Sequence, residues 1–261
     1  MADLLERHDI ARVRAENPGP FTLDGTNTWV LGRDPAWVVD PGPLAAGHVE
    51  AVAAETGARG GLGGIALTHS HRDHTEAVEA LLEAAGPAPV AAAAGRDVAL
   101  GDGDSFGPFT AIPTPGHAPD HLALVAGSVC FTGDAVVGTG SVFVAPGPGS
   151  LAGYLAALRR LRALPLALLC PGHGPPVDDP AGKLDEYLAH RLDRERRLLD
   201  ALARGLRSED ELLDDVWDDA PAALRFAAGV TLRAHLEKLG EEGRLPAGID
   251  IPPLDLGDVE V

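Results

Sequence analysis

Apolar positions in this chain fall into short blocks that alternate with longer stretches of helical spacing. Residues 26–31 and 36–40 predict two strands, joined across Gly32 to Pro35, which supply turn chemistry. Residues 45–56 have helical spacing, and a glycine-rich break at 57–64 precedes a buried strand at 65–68. A helix rich in Ala, Leu and Glu is predicted over 75–85, stopped by Gly86-Pro87. Four more strands are predicted at 89–94, 109–113, 121–126 and 128–132, each bounded by Gly or Pro. A helix over 151–164 and a strand over 166–170 follow. Strands alternating with helices in this way predict an α/β sandwich, with functional groups carried where strands end.

Composition shifts at 175–182, which holds three Pro and two Asp and divides a domain of residues 1–180 from a second of 181–261. Helices are predicted over 183–203, after the capping box that opens at Ser208, and over 222–239, before a glycine-flanked turn at 243–248. Helix, helix and turn resemble a winged helix. Acidic residues outnumber basic ones by 19 to 11 over 181–261, which is wrong for a DNA reader. This part is expected to pack on the first domain or on a second copy, so a homodimer stays open.

The whole chain carries a net charge of −18, which gives a polyanion no long-range attraction and makes nucleic acid a disfavoured partner. Its 261 residues suffice for a sizeable core, and with aromatics at 4 % that core must be mostly Ala, Val and Leu. Cys130 and Cys170 sit in apolar runs and read as buried and reduced. The N-terminus lacks a basic region followed by an apolar stretch, and no window reaches ~18 uninterrupted apolar residues. A cytoplasmic location away from membranes is expected.

The chemistry gathers around residues 69–74. His69, His71 and His74, with Asp73 among them, place four potential ligands within six residues, directly after a buried strand. Isolated histidines such as His8, His48 and His235 need no function. Imidazole is the commonest metal ligand, and a neighbouring carboxylate suits a hard or borderline cation. In a turn entering a helix the side chains can divide between two cations, His69 and His71 on one, Asp73 and His74 on the other. Gly116-His117, Gly133-Asp134 and Gly172-His173 each add one ligand after a strand, beside a glycine that permits unusual backbone angles. With His117 on the first cation, His173 on the second and Asp134 bridging, two divalent ions can be held. Zn²⁺ is the leading expectation, with Fe or Mn as alternatives. Two such ions lower the pKa of a shared water and make hydroxide at neutral pH, with Asp73 as the catalytic residue that orients it and accepts its proton.

Other residues have two readings each. Asp40 either hydrogen-bonds a ligand histidine or makes an Asx turn ahead of Pro41-Gly42. Asn27 and Thr28 either face the site or cap their strand. His121 helps hold the loop of His117. His190 and Arg191 either meet an anionic substrate group or belong, with Arg194, Arg196 and Arg197, to a solvated charged face. Trp217 and Phe226 read as core residues of the small domain.

Asp40, the 69–74 run, His117, Asp134 and His173, in this order over residues 20–175, resemble the motifs of the metallo-β-lactamase superfamily. Gly25-Thr26-Asn27-Thr28-Trp29, residues 71–76, Phe131-Thr132-Gly133-Asp134, and His190-Arg191 with Arg194-Glu195 are similar to its β-lactamase-like protein 2 group. The resemblance implies a four-layer αββα sandwich with two metals at one edge, and a small C-terminal winged-helix domain. That group includes single-strand endoribonucleases and is similar to the thioesterases that release aromatic polyketides. Lactamases of the fold generally have Cys where Asp134 stands, and the redox di-iron branch has Glu where His71 stands, so both activities are demoted. The leading expectation is a dinuclear zinc-dependent hydrolase acting on a small-molecule ester or thioester. A single-strand endoribonuclease, a mononuclear iron thiol dioxygenase and a metal-stabilised binding protein are the alternatives. A continuous basic groove at the metals would favour RNA, and an enclosed apolar pocket a small acyl substrate.

Overall fold

The apolar blocks become the strands of two sheets in the computed structural model, which describes residues 2–249. The first sheet runs in chain order through β1 (Ile10–Arg14), β2 (Asn27–Leu31), β3 (Ala36–Val39), β4 (Leu62–Ala66), β5 (Val90–Ala92) and β6 (Val98–Ala99). Its first three strands are antiparallel, and β3 to β6 are parallel. The second sheet comprises β7 (Ser105–Phe106), β8 (Phe109–Pro113), β9 (Leu122–Ala126), β10 (Val129–Gly133) and β11 (Leu168–Pro171), again as neighbours in chain order. Only β10 and β11 are parallel there. Strand β1 and the short helix α1 (Ala2–Arg7) add to the elements that the apolar pattern predicts.

The two sheets face each other across Trp29, Val39 and Ala66 on one side and Phe109, Leu124 and Phe131 on the other. The few aromatics concentrate here, where side chains must span two sheets about 10 Å apart. Trp37 meets Phe106 edge-on at 5.2 Å, and Phe131 meets Phe109 at 5.6 Å and Trp29 at 6.4 Å. On the outer face of the first sheet, helix α2 (Ala46–Ala58) places Val52 in a core with Val38 and Ile65. The helix predicted over 75–85 starts at Val78 as α4 (Val78–Ala85), whose Leu81 joins the same core, and a separate short helix before it, α3 (Arg72–Thr75), carries Asp73 and His74. Helices α5 (Ser150–Arg162) and α6 (Pro180–Ala203) cover the second sheet, with Leu151, Leu158 and Leu184 against Ile112, Ala123 and Cys130. The result is a four-layer αββα sandwich, with Cys130 and Cys170 buried and unpaired.

Helix α6 serves two cores. Leu184 and Tyr187 pack with α5, whereas Leu198, Ala201 and Leu202 pack with α7 (Glu209–Val216) and α8 (Arg225–Glu241). Ser208 and Glu211 form the capping box that opens α7. Half-way along this assembly the buried Glu195 carboxylate accepts from Lys238 at 2.7 Å and from Arg244 at 3.0 Å. Trp217 is buried in the second core. Phe226, expected there too, is instead 46 % exposed, because it sits at the mouth of a cavity rather than inside the helix packing. Among the described residues the part from 181 onward contains no strand, and residues 250–261 of the expected second domain lie outside them. No described helix is long and apolar enough to cross a membrane.

Candidate metal centre

Parallel pairing turns the carboxyl ends of β3 and β4, and of β10 and β11, in common directions, and the two sheets meet so that these ends share one edge. Leu122 N–H donates to the Thr68 carbonyl at 2.7 Å and Asn27 N–H to the Gly172 carbonyl at 2.7 Å, stitching the sheets together beside the site. Thr68 to His71 follow β4, His117 follows β8, Asp134 follows β10 and His173 follows β11.

Seven side chains converge. Ligand atoms of His69, His71 and His117 lie within 4.8 Å of one another, as do those of Asp73, His74 and His173, and those of His69, His74 and Asp134. His71 Nδ1 is 3.0 Å from both His69 Nε2 and His117 Nε2. Asp134 stands between the two groups, its Oδ2 3.2 Å from His173 Nε2 and 3.6 Å from His117 Nε2, and its Oδ1 3.6 Å from His74 Nε2. Asp73 Oδ2 is 3.4 Å from both His74 Nε2 and His173 Nε2.

The surrounding hydrogen bonds fix which nitrogen of three rings faces inward. Asp40 accepts from Thr68 N–H at 2.8 Å and from the Thr68 hydroxyl at 2.7 Å, and its Oδ2 lies 2.9 Å from His74 Nδ1. A carboxylate cannot donate, so His74 carries its proton on Nδ1 and turns a bare Nε2 to the cluster. With its proton given to Asp40, the Thr68 hydroxyl can only accept from His69 Nδ1, 2.9 Å away, which likewise frees His69 Nε2. His173 Nδ1 faces the Gly25 carbonyl at 3.3 Å with the same result. His74 Nε2 and Asp134 Oδ1 are buried without a hydrogen-bond partner, as expected of atoms aimed at a cation.

Electrostatics agree with this geometry. Burial holds His69 well below the usual imidazole range, lowers His71, and brings His117 down to about 4. These three rings are neutral, the form that binds metal. Burial also opposes charge on His74 and His173, but Asp73 and Asp134 beside His74, and Asp134 beside His173, outweigh it and raise both. Asp134 is held well below the carboxylate range, its burial outweighed by His173 and His74. The carboxylates thus call for positive charge where the bare nitrogens converge, and the donor set fits a pair of divalent cations.

Support comes from residues around the cluster. Asn27 clamps the His173 loop, its Nδ2 donating to Pro171 O at 2.9 Å and Gly174 O at 2.8 Å. Thr28 directs its hydroxyl to the Asp40 carbonyl at 2.7 Å, beside His48 Nε2, which is also 3.1 Å from Pro41 O. Both therefore brace the turn of Asp40, which has a φ of 52°. His121 accepts from Asp134 N–H at 3.0 Å and places Nδ1 2.7 Å from Thr114 Oγ1, so it braces Asp134 as well as the segment leading to His117. Burial lowers His121 to about 3, keeping it neutral for this role. Thr26 and Thr68 escaped sequence reasoning. Thr26 donates its hydroxyl to Asp73 Oδ2 at 2.8 Å and pairs by backbone with His173. The available signal was position, since Thr68 immediately precedes His69 and Thr26 is the second residue of the Gly25 to Trp29 motif.

A cavity of about 520 Å³ extends from Asp73, His117, Asp134 and His173. Phe21, Leu23 and Val142 supply apolar wall, α6 adds Tyr187, His190, Arg191 and Arg194, and α8 adds Ala227 and Thr231. Arg191 and Arg194 are only 2 % and 5 % exposed, so the solvated-face reading does not hold for them. Arg194 pairs with Asp219 at 2.5 Å and lies over Trp217 at 5.5 Å. A second cavity of about 220 Å³ adjoins His71 and His117, walled by Phe21, Phe143 and Phe226.

The profile described as the metallo-beta-lactamase superfamily matches residues 95–173. A beta-lactamase-like protein 2 homolog of Caenorhabditis elegans is 30 % identical over 90 % of this chain and 85 % of its own length. An atrochrysone carboxyl ACP thioesterase of Aspergillus fumigatus is 30 % identical over 84 % of this chain and 77 % of its own. Among solved structures, a beta-lactamase domain protein from Burkholderia ambifaria superposes with a TM-score of 0.76 at 21 % identity, covering 90 % of this chain and 86 % of that one.

Proposed function

The chain belongs to the metallo-β-lactamase superfamily, and from that premise we propose that it hydrolyses a small ester or thioester with two divalent cations, zinc foremost. The observation that carries this reading is the double ligand cluster, its bare nitrogens converging on Asp134, at the end of a largely apolar cavity. His69, His71 and His117 would hold one cation and Asp73, His74 and His173 the other, with Asp134 shared. Bound there, the cations supply acidified water and an electrophilic pull on the carbonyl oxygen. Asp73, with one oxygen steadied by Thr26, orients the attacking water and takes its proton. Asp40, Thr68 and the Gly25 carbonyl keep three imidazoles in the ligating tautomer. The C-terminal helices exclude bulk water and shape the acyl pocket.

Two further facts favour an acyl substrate over single-stranded RNA. One similar protein is named as an acyl carrier protein thioesterase. The cavity mixes Asp73, Asp134, Glu186 and Asp219 with its two arginines, which is not the continuous basic track that a polyanion needs. The test is metal analysis combined with assays on acyl thioesters, esters and short single-stranded RNA, with a chelator control. About two zinc per chain and chelator-sensitive thioester turnover, lost in Asp134→Ala, are expected. A single iron per chain with oxygen uptake on a thiol, or cleavage of RNA alone, would overturn the proposal.

A further inference from the structure

Arg191 is a charged side chain in the cavity wall to which the proposed hydrolysis gives no role. It is 2 % exposed, and its Nη2 donates to two neutral acceptors, Ser141 Oγ at 3.0 Å and the Val142 carbonyl. Its Nε is buried without a partner, and the Tyr154 ring lies 5.7 Å from the guanidinium carbon. Among the described residues no carboxylate forms an ion pair with it. The acids lining the same cavity are engaged elsewhere: Asp219 with Arg194 at 2.5 Å, Glu186 with Lys183 at 3.0 Å, and Asp73 and Asp134 with the histidine cluster. Buried charges in proteins are paired, because desolvating a lone ion costs more than a neutral hydrogen bond returns. A guanidinium with unused donors in the wall of a cavity is therefore matched to an anion that arrives with the ligand.

We propose that Arg191 binds an anionic group on the substrate, which makes the substrate an ester or thioester with a largely apolar body and one carboxylate or comparable anion away from the bond that is cut. The apolar body follows from the neighbouring wall, where Phe21, Leu23, Val142 and Ala227 leave no second unpaired cation. His190 stands beside Arg191 in the same wall, with one ring nitrogen buried and unpartnered, and burial with Arg191 and Arg194 close by keeps its ring neutral. It adds hydrogen-bonding capacity without a second charge. This substrate class rests on the hydrolase reading above, and the two can fail separately.

The test uses the metal-loaded protein and three thioesters of equal length. One is neutral with a terminal carboxamide, one carries a carboxylate at the far end of the acyl part, and one carries it at the far end of the thiol part. One charged thioester is expected to exceed the neutral one by about tenfold or more in kcat/KM, which locates the anion on the acyl or the thiol side. In Arg191→Gln the ratio should fall to near one, while Arg191→Lys, which keeps the charge, should retain part of it. Equal or greater turnover of the neutral thioester by the unmodified protein overturns the anion site and leaves the hydrolase reading standing. If none of the three is turned over, the hydrolase reading is what fails, and binding decides the site. Calorimetry with 3-phenylpropanesulfonate, a poor metal ligand, should show affinity about tenfold weaker in Arg191→Gln. Equal affinity in the two proteins, or in the unmodified protein and Arg191→Lys no binding at all, overturns the proposal.

Discussion

Gly172→Ala probes the metal centre by a single methyl group. Gly172 is pinned on both sides, its N–H donating to Gly133 O at 2.9 Å and its carbonyl accepting from Asn27 N–H at 2.7 Å. Its φ lies outside the positive range, so the backbone accepts alanine and only space is at stake. A Cβ would stand 2.4 Å from Asp134 Oδ1 and 2.6 Å from His74 Cε1. Ordinary contact begins near 3.5 Å, so Asp134 and His74 must each move by about 1 Å. Neither moves freely, because His121 holds the Asp134 backbone and Asp40 holds the far side of His74. A misplacement of about 1 Å costs on the order of 100-fold in turnover, and the overpacking about 1–3 kcal/mol of stability. Zinc affinity, measured by competition with a chromogenic chelator, should fall on the order of 10- to 100-fold. Gly57→Ala is the control, since its Cβ would meet nothing within 4 Å in helix α2, and it should leave zinc affinity alone. Wild-type zinc affinity and turnover in Gly172→Ala would refute the placement of Asp134 and His74 against this loop.

Asp40→Asn keeps the shape and tolerates the positive φ but removes the charge beside His74 Nδ1, so zinc affinity should drop on the order of 10- to 100-fold in the same titration. An unchanged affinity would deny Asp40 any part in setting the tautomer. His235 is fully buried with neither ring nitrogen partnered, and burial depresses its pKa to about 3. Below the unfolded value near 6.5 the unfolded chain takes up a proton that the folded one refuses, so this residue draws stability down as pH falls from 6.5 towards 3. His235→Leu should therefore gain about 1.4 kcal/mol per pH unit over the wild type in that window, read from urea unfolding at pH 7 and pH 5. A gap between the two proteins that does not widen at pH 5 would count against it. Chelation should lower the melting temperature, and added zinc should restore it, because bound cation stabilises only the folded chain.

The fold was legible wherever short apolar blocks meet glycine or proline, because those strands are buried on both faces and their pattern is continuous, as at 36–40 and 128–132. Strand β1 was not, since Ile10 is its only fully buried residue and its pairing to β2 is an edge interaction set by tertiary contact. The residues of the histidine–aspartate cluster were legible because each comes after a strand, several beside a glycine. Thr26 and Thr68 were not, for a threonine hydroxyl has no signature of its own until Asp73 and Asp40, 47 and 28 residues away, come within reach. On α6, the four arginines at 191, 194, 196 and 197 read as one charged face. The spacing of Leu184, Tyr187, Arg191, Arg194 and Leu198 marks a single buried stripe, and two of the arginines lie on it.

Helix α6 has a consequence for anyone redesigning this chain. Its first half completes the packing against α5, its middle faces the cavity, and its last turns anchor α7 and α8. The C-terminal helices are consequently not a cassette that can be cut off after residue 180 or exchanged with a relative's. Truncation there would strip Leu184 and Tyr187 from the core of the αββα sandwich along with one wall of the cavity. Libraries aimed at substrate scope should vary 190 and 191 in the cavity wall while keeping their apolar neighbours and Arg194, which ties α6 to Val216 and Asp219, so that selectivity is explored without unfolding the scaffold that presents it.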